Sequence, residues 1–313
     1  PTRRSSDLCR LLGAPVGTTE FCSAFLERKV ALWANEISTL AKLAGTQPHA
    51  AYAAFTHALI GKWVYLARCV DGFATFLLPL ENAIRHQFLP SLIGRGAPSD
   101  DLRSLLALPT RLGGLGIINP VIALTEEHTH SQHVTAPLTN LIRKQEASLG
   151  DACTVVNARK RLVTAHKRKA LADAATALKP TLSLNLQRAV AVAEDPGASH
   201  WLSALPLAEH GYTLTKGSFR DALCLRYSWR PDHLPARCAC GEDFTIDHAL
   251  CCPTGGYPSI RHNELRDITA SLLSEVCCNV HTEPVLQSLS GEVLHGQSAN
   301  MQPDARLDVC ASG

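Results

Sequence analysis

The stretch Leu26-Glu27-Arg28-Lys29-Val30-Ala31-Leu32-Trp33-Ala34-Asn35-Glu36-Ile37 decides the fold class. Leu26, Val30, Trp33 and Ile37, continued by Leu40 and Ala44, recur at alternating steps of four and three. That rhythm puts them on one face of a helix over residues 20–45, with Gly45 as its stop. Working outward, residues 48–70 repeat the pattern. Thr46 serves as an N-cap, Pro48 sits in the first turn, and Tyr52, Phe55, Leu59, Trp63, Leu66 and Val70 form the apolar stripe. A third helix over about 75–93 presents Leu80, Ile84 and Phe88. Three amphipathic helices joined by short turns predict a mainly α protein built on a helical bundle.

Composition agrees with a folded chain. Its 313 residues suffice for about two domains. With 46% hydrophobic and 19% charged residues, general disorder is excluded. Apolar runs such as Phe76 to Leu80 are far below the ~20 residues of a membrane helix. The net charge of +2 does not by itself announce a nucleic-acid binder. The twelve cysteines lack framework spacing, and Cys22, Cys69 and Cys224 fall inside helical apolar patterns. No secretory signal opens the chain, so the expectation is a reduced, intracellular protein, nuclear or cytoplasmic and not secreted.

Asp100-Asp101 follow Ser99 and open a short helix. Arg111-Leu112-Gly113-Gly114-Leu115-Gly116-Ile117 then interrupts the helical pattern, and three glycines in four residues imply positive φ or close backbone approach. Asn119-Pro120 begins a new helix. Residues 134–195 read as helical and Ala-rich. Within 141–190 there are ten Lys/Arg against three Asp/Glu, a local excess hidden by the near-neutral total. Arg159, Lys160 and Arg161 recur as Lys167, Arg168 and Lys169. The recurrence at eight residues is a little over two turns, which brings the triplets toward one side, with Val156, Leu162, Val163, Ala170, Leu171 and Ala174 on the packed side. The stripe reads either as a solvated face or as a contact to nucleic-acid phosphates.

After Trp201 the composition shifts to mixed α and β. Ser218 caps a helix carrying Phe219, Leu223 and Leu225. Residues 259–276 form a helix with Leu265, Ile268, Leu272 and Val276 on one face. Val280–Leu286 and Arg306–Val309 read as strands. The sharpest chemical feature lies between: Cys238-Ala239-Cys240-Gly241, His248 and Cys251-Cys252. His248 and Cys252 are one helical turn apart, and Gly241 permits the turn that brings Cys238 and Cys240 to meet them. Three thiolates and one imidazole suit a structural, tetrahedral Zn²⁺, with Cys251 as the alternative fourth ligand to Cys252.

Three segments together resemble the C-terminal half of a non-LTR retrotransposon polyprotein. Leu11-Leu12-Gly13-Ala14-Pro15-Val16-Gly17, followed by the Trp33 helix, looks like the primer grip of a reverse transcriptase leading into its thumb. Leu108-Pro109-Thr110-Arg111 through Ile117 resembles a segment that follows the thumb. The Cys/His cluster, followed by Arg261-His262-Asn263, Glu283-Pro284 and Asp304-Ala305-Arg306-Leu307-Asp308-Val309, is similar to the zinc knuckle and restriction-like endonuclease of site-specific elements.

The resemblance implies a domain order. An end of the primer grip and the thumb would occupy 9–135 and a basic helical linker 136–235. A zinc knuckle would cover 236–256, and the N-terminal part of an α/β restriction-like nuclease 257–313. It implies RNA-templated DNA synthesis at a nicked target, with element RNA and target DNA as partners, no membrane and no small-molecule substrate in this piece. Mg²⁺ would serve the nuclease of the complete parent. Asp308 is the implied metal ligand on the first acidic strand, with Asp304 as runner-up. Glu283 either assists or is an exposed strand-end charge. Arg261 and His262 either contact phosphate or cap their helix. The first eight residues read as a translated sequencing adapter, and Met301 is the single methionine. The expectation is therefore a truncated fragment that lacks the polymerase aspartates and part of the nuclease site, contributing nucleic-acid grip and not catalysis. The other reading is a non-enzymatic, zinc-stabilised nucleic-acid-binding module.

Overall fold

The computed structural model describes residues 9–145, 149–232, 234–254, 256–284 and 308–312. Residues 1–8 of the expected adapter, the Asp304 alternative and the ends of both expected C-terminal strands (285–286 and 306–307) lie outside them. The chain is mainly helical and divides into two compact units, up to residue 231 and from residue 232. The expected boundary at 135/136 falls inside a helix.

The first unit opens with a hairpin of β1 (Cys9–Leu11) and β2 (Ala14–Val16), paired antiparallel with Leu11 opposite Ala14. α1 (Thr19–Ala44) follows. Thr18 accepts from the Phe21 N–H at its start, and Leu26, Val30, Trp33, Ile37, Ala41 and Ala44 are buried. The second expected helix is α2 (Pro48–Ala54), a π turn (Phe55–Leu59) and α3 (Ile60–Cys69). The third is α4 (Leu78–Ala83), another π turn (Ile84–Phe88) and α5 (Leu89–Ile93). Phe55 and Phe88, one from each π turn, stack at 4.9 Å with 9° between their planes, and Trp63 meets Phe55 edge-on at 5.6 Å. Thr46 does not cap α2; its hydroxyl donates to the Leu43 carbonyl and closes α1 instead.

α6 (Asp100–Ala107) is capped by Ser99, so Asp100 and Asp101 sit in a first helical turn, and Arg85 pairs with Asp100 at 2.6 Å. The glycine segment then threads the core. A Cβ on Gly114 would fall 1.9 Å from the Leu108 carbonyl oxygen, so only glycine fits. The carbonyls of this segment are taken by distant side chains. Arg226 donates to Thr110 (2.9 Å) and Gly114 (3.1 Å), Tyr227 to Gly113 (3.0 Å), and Tyr52 to Leu115 (2.7 Å). Arg103 donates to the carbonyls of Ile117 and Ile118 and, with both arms, to the buried Glu81.

α7 (Pro120–Ala123) is capped by Asn119. α8 (Glu127–Lys144) and α9 (Leu149–Leu178) pack against each other, and α8 also packs on α3. α10 (Leu184–Ala193), α11 (His200–Ser203) and α12 (Lys216–Arg226) complete the unit. Thr215, not Ser218, caps α12, and its Leu225 faces outward while Phe219 and Leu223 are buried. The second unit comprises α13 (Ile246–Cys251), α14 (Tyr257–Ser274) and the antiparallel pair β3 (Asn279–Thr282) and β4 (Val309–Ser312), with Thr282 opposite Val309.

Candidate metal centre and basic helix

The sequence around Cys238 folds back on itself as a small antiparallel turn. Arg237 pairs with Asp243, the Cys238 N–H donates to the Glu242 carbonyl (2.8 Å), and the Gly241 N–H donates to the Cys238 carbonyl (2.9 Å). Gly241 sits at φ 92°, where a side chain would be strained. Cys238 and Cys240 therefore point to one side of the turn. Thr245 accepts from the His248 N–H (3.0 Å) and starts α13, which ends with the Cys252 N–H on the His248 carbonyl (2.8 Å). This delivers His248 and Cys252 to the same point.

The donor atoms of Cys238, Cys240, His248 and Cys252 all lie within 4.8 Å of one another, an arrangement that could hold a metal ion. Cys238 Sγ is 3.7 Å from Cys252 Sγ, and Cys240 Sγ is 3.2 Å from His248 Nε2. Cys238 and Cys252 are buried with Phe244, whereas the alternative, Cys251, is exposed and outside the cluster. A backbone hydrogen bond at Glu242 lowers the Cys240 thiol pKa. Desolvation and the crowding of Cys238 and Cys252 outweigh it and leave that thiol raised. Gathered thiols that resist ionisation together gain most from a cation among them.

The basic triplets do not share one environment. Arg159 turns inward and donates to the His133 carbonyl of α8 (2.6 Å), and Lys167 binds the buried Glu127, which Arg68 also holds at 3.1 Å. Burial pushes the Glu127 carboxyl up, but the hydrogen bonds and charges of Lys167 and Arg68 leave it below the usual carboxylate range. Lys160, Arg161, Arg168 and Lys169 are exposed. The packed side of α9 is Ala152, Val156 and Ala175, whereas Leu162 is 66% exposed and Ala170, Leu171 and Ala174 also face solvent.

Glu283 and Asp308 do come together. The Glu283 N–H donates to the Asp308 carbonyl (3.1 Å) at the end of the strand pair. Each faces a base from α14: Glu283 pairs with Arg266, and Asp308 Oδ1 lies 3.4 Å from His262 Nε2. The hydrogen bond and charge of Asp267, then Glu283, hold the Arg266 pKa above its ordinary value. Arg261 is exposed on the same helix. Arg266 meets two carboxylates, the adjacent Asp267 and Glu283 seventeen residues on, and only the first of these contacts is local in the sequence. No helix among the described residues is long and apolar enough to cross a membrane. No family model, curated protein or solved structure matches the chain.

Proposed function

We propose that this chain is a nucleic-acid-gripping piece of a non-LTR retrotransposon reverse transcriptase–endonuclease. In this reading it holds element RNA and target DNA rather than carrying out the chemistry. The observation that carries the reading is the exposed quartet Lys160, Arg161, Arg168 and Lys169 on α9. Arg161 and Arg168 lie about 20° apart around the helix, with Lys160 and Lys169 flanking them. Such a span meets successive phosphates and releases their counterions. Arg159 and Lys167 hold α9 against α8 and so set the angle at which the quartet is presented.

The Cys238, Cys240, His248 and Cys252 site holds Zn²⁺ in a structural role. A tetrahedral ion at a zinc–sulfur distance of ~2.3 Å places two sulfurs about 3.8 Å apart, and a sulfur and a nitrogen about 3.5 Å apart. Cys238 and Cys252 stand at 3.7 Å, and Cys240 and His248 at 3.2 Å. Four protein donors close the coordination sphere, so the ion stabilises the small unit and activates no water. In this reading Glu283, held by Arg266, and Asp308, beside His262, belong to the nuclease part and would contribute carboxylates toward Mg²⁺.

The test is nucleic-acid binding across a salt series. Replacing Lys160, Arg161, Arg168 and Lys169 by Gln should weaken binding to unrelated sequences alike. It should also flatten the log–log salt slope by about 0.9 for each duplex phosphate that the variant no longer neutralises. An unchanged slope would make the quartet a solvated face. The genomic sequence flanking this reading frame tests the family separately. It should encode an Asp-Asp hairpin between hydrophobic strands upstream, and an acidic strand followed by Lys downstream.

A further inference from the structure

Glu126, His130 and His166 form a second cluster, made of side chains that neither the quartet nor the cysteine cluster uses. Glu126 is the residue preceding α8, His130 follows one turn later, and His166 comes across from α9. Their donor atoms lie within 4.8 Å of one another. His130 Nε2 is 3.7 Å from Glu126 Oε2, too long for a hydrogen bond. The His130 and His166 rings meet edge-on, with centroids 5.8 Å apart. His130 Nδ1 is buried and makes no hydrogen bond among the described residues. His130 Nε2 thus faces only the Glu126 carboxylate and Nδ1 has no hydrogen-bond partner among the described residues, although leaving a buried donor or acceptor unpaired costs about 1–3 kcal/mol.

A simple ion pair between Glu126 and His130 accounts for neither the orphaned Nδ1 nor the convergence of His166. Two imidazoles and a carboxylate are the donor set of a borderline-soft divalent transition metal. We propose that Glu126, His130 and His166 form a second metal site that takes one such ion, Zn²⁺ or Co²⁺, and ties α8 to α9. Donors about 2.1 Å from a tetrahedral ion stand about 3.4 Å apart. Glu126 and His166 are exposed and free to rotate inward by the ~1 Å that closure requires. This site does not depend on the nucleic-acid reading, since it rests on different side chains and reads out as metal bound.

The test is a Co²⁺ titration of the full chain followed by absorption spectroscopy. Only the cysteine cluster gives a thiolate-to-cobalt charge-transfer band. The wild type should bind a second equivalent that adds ligand-field absorption without strengthening that band. His130→Ala and His166→Ala should each lose the second equivalent, with the thiolate band and the helical circular dichroism unchanged. Glu126→Gln should weaken it more than about tenfold, because even outer-shell partners change metal affinity by ~10–100-fold. Cys252→Ala should impair the thiolate site and leave the second one. A second equivalent that persists in the His130→Ala/His166→Ala double variant would overturn the assignment. So would a wild-type chain that binds cobalt at the cysteines alone.

Discussion

Arg103 joins three parts of the first unit, and removing it should cost more than removing its partner. Its guanidinium donates to both oxygens of Glu81 at 2.7 Å, to the Ile117 carbonyl at 2.8 Å and to the Ile118 carbonyl at 2.9 Å. Arg103 is 3% exposed and Glu81 6%. Glu81→Leu breaks a buried pair, at about 3–5 kcal/mol, but leaves Arg103 on its two carbonyls. Arg103→Met breaks the same pair and also strands two carbonyls, each worth about 1–3 kcal/mol, for a total of roughly 5–11 kcal/mol. Set against a typical domain stability of about 5–15 kcal/mol, that change brings the unit to the edge of unfolding. In the double variant neither charge remains, so it should be more stable than Arg103→Met alone, which requires a coupling energy larger than the about 3–5 kcal/mol that Glu81→Leu costs by itself. Urea unfolding followed by tryptophan fluorescence reads this unit selectively, because Trp33, Trp63, Trp201 and Trp229 all precede residue 232. If Arg103→Met were no worse than Glu81→Leu, or if the double variant equalled the sum of the singles, the reasoning would fail.

Three further outcomes are expected. Gly114→Ala should destabilise the first unit by more than about 3 kcal/mol in the same assay, since its Cβ would overlap the Leu108 and Leu105 carbonyl oxygens and neither backbone is free to retreat. Metal analysis should find that Cys252→Ala removes the ion from the cysteine cluster and Cys251→Ala does not, because Cys252 is inside the cluster and Cys251 faces solvent. Buried His49 stacks on Phe219, accepts from the Leu214 N–H, and has its pKa depressed below 6.5 by desolvation. The unfolded chain therefore binds the extra proton first. The contribution of His49 is full above pH 6.5 and lost as pH falls through its folded value, so the urea midpoint should drop on acidification, and less steeply in His49→Gln.

Much of the first unit was legible because helical burial follows a fixed period. Leu26, Val30, Trp33, Ile37 and Ala44 are all buried as their spacing requires. The cysteine cluster was legible because its four donors lie within fifteen residues and two of them share a helical face. The basic triplets were legible only in part. Three consecutive helical residues span about 200°, so some must turn toward a neighbouring helix, and periodicity cannot say that Arg159 and Lys167 meet α8. Arg226 reaches carbonyls 112 and 116 residues away, and that kind of contact leaves no local pattern.

The two π turns also bear on which insertions and deletions the chain tolerates. Leu80, Ile84, Phe88 and Leu92 are buried at steps of four, which in an ideal helix would drift about 120° around the axis. The turn at Ile84–Phe88 absorbs one residue and cuts the drift to about 20°. Each π turn lifts two residues into solvent, His57 and Ala58 in one, His86 and Gln87 in the other. Losing Ala58 or Gln87 would convert its turn to plain α-helix and leave the flanking faces where they are. Losing one residue inside α3 instead would swing every later side chain of that helix by about 100°. Relatives of this chain should therefore vary in length by single residues at those two places and not elsewhere in the bundle.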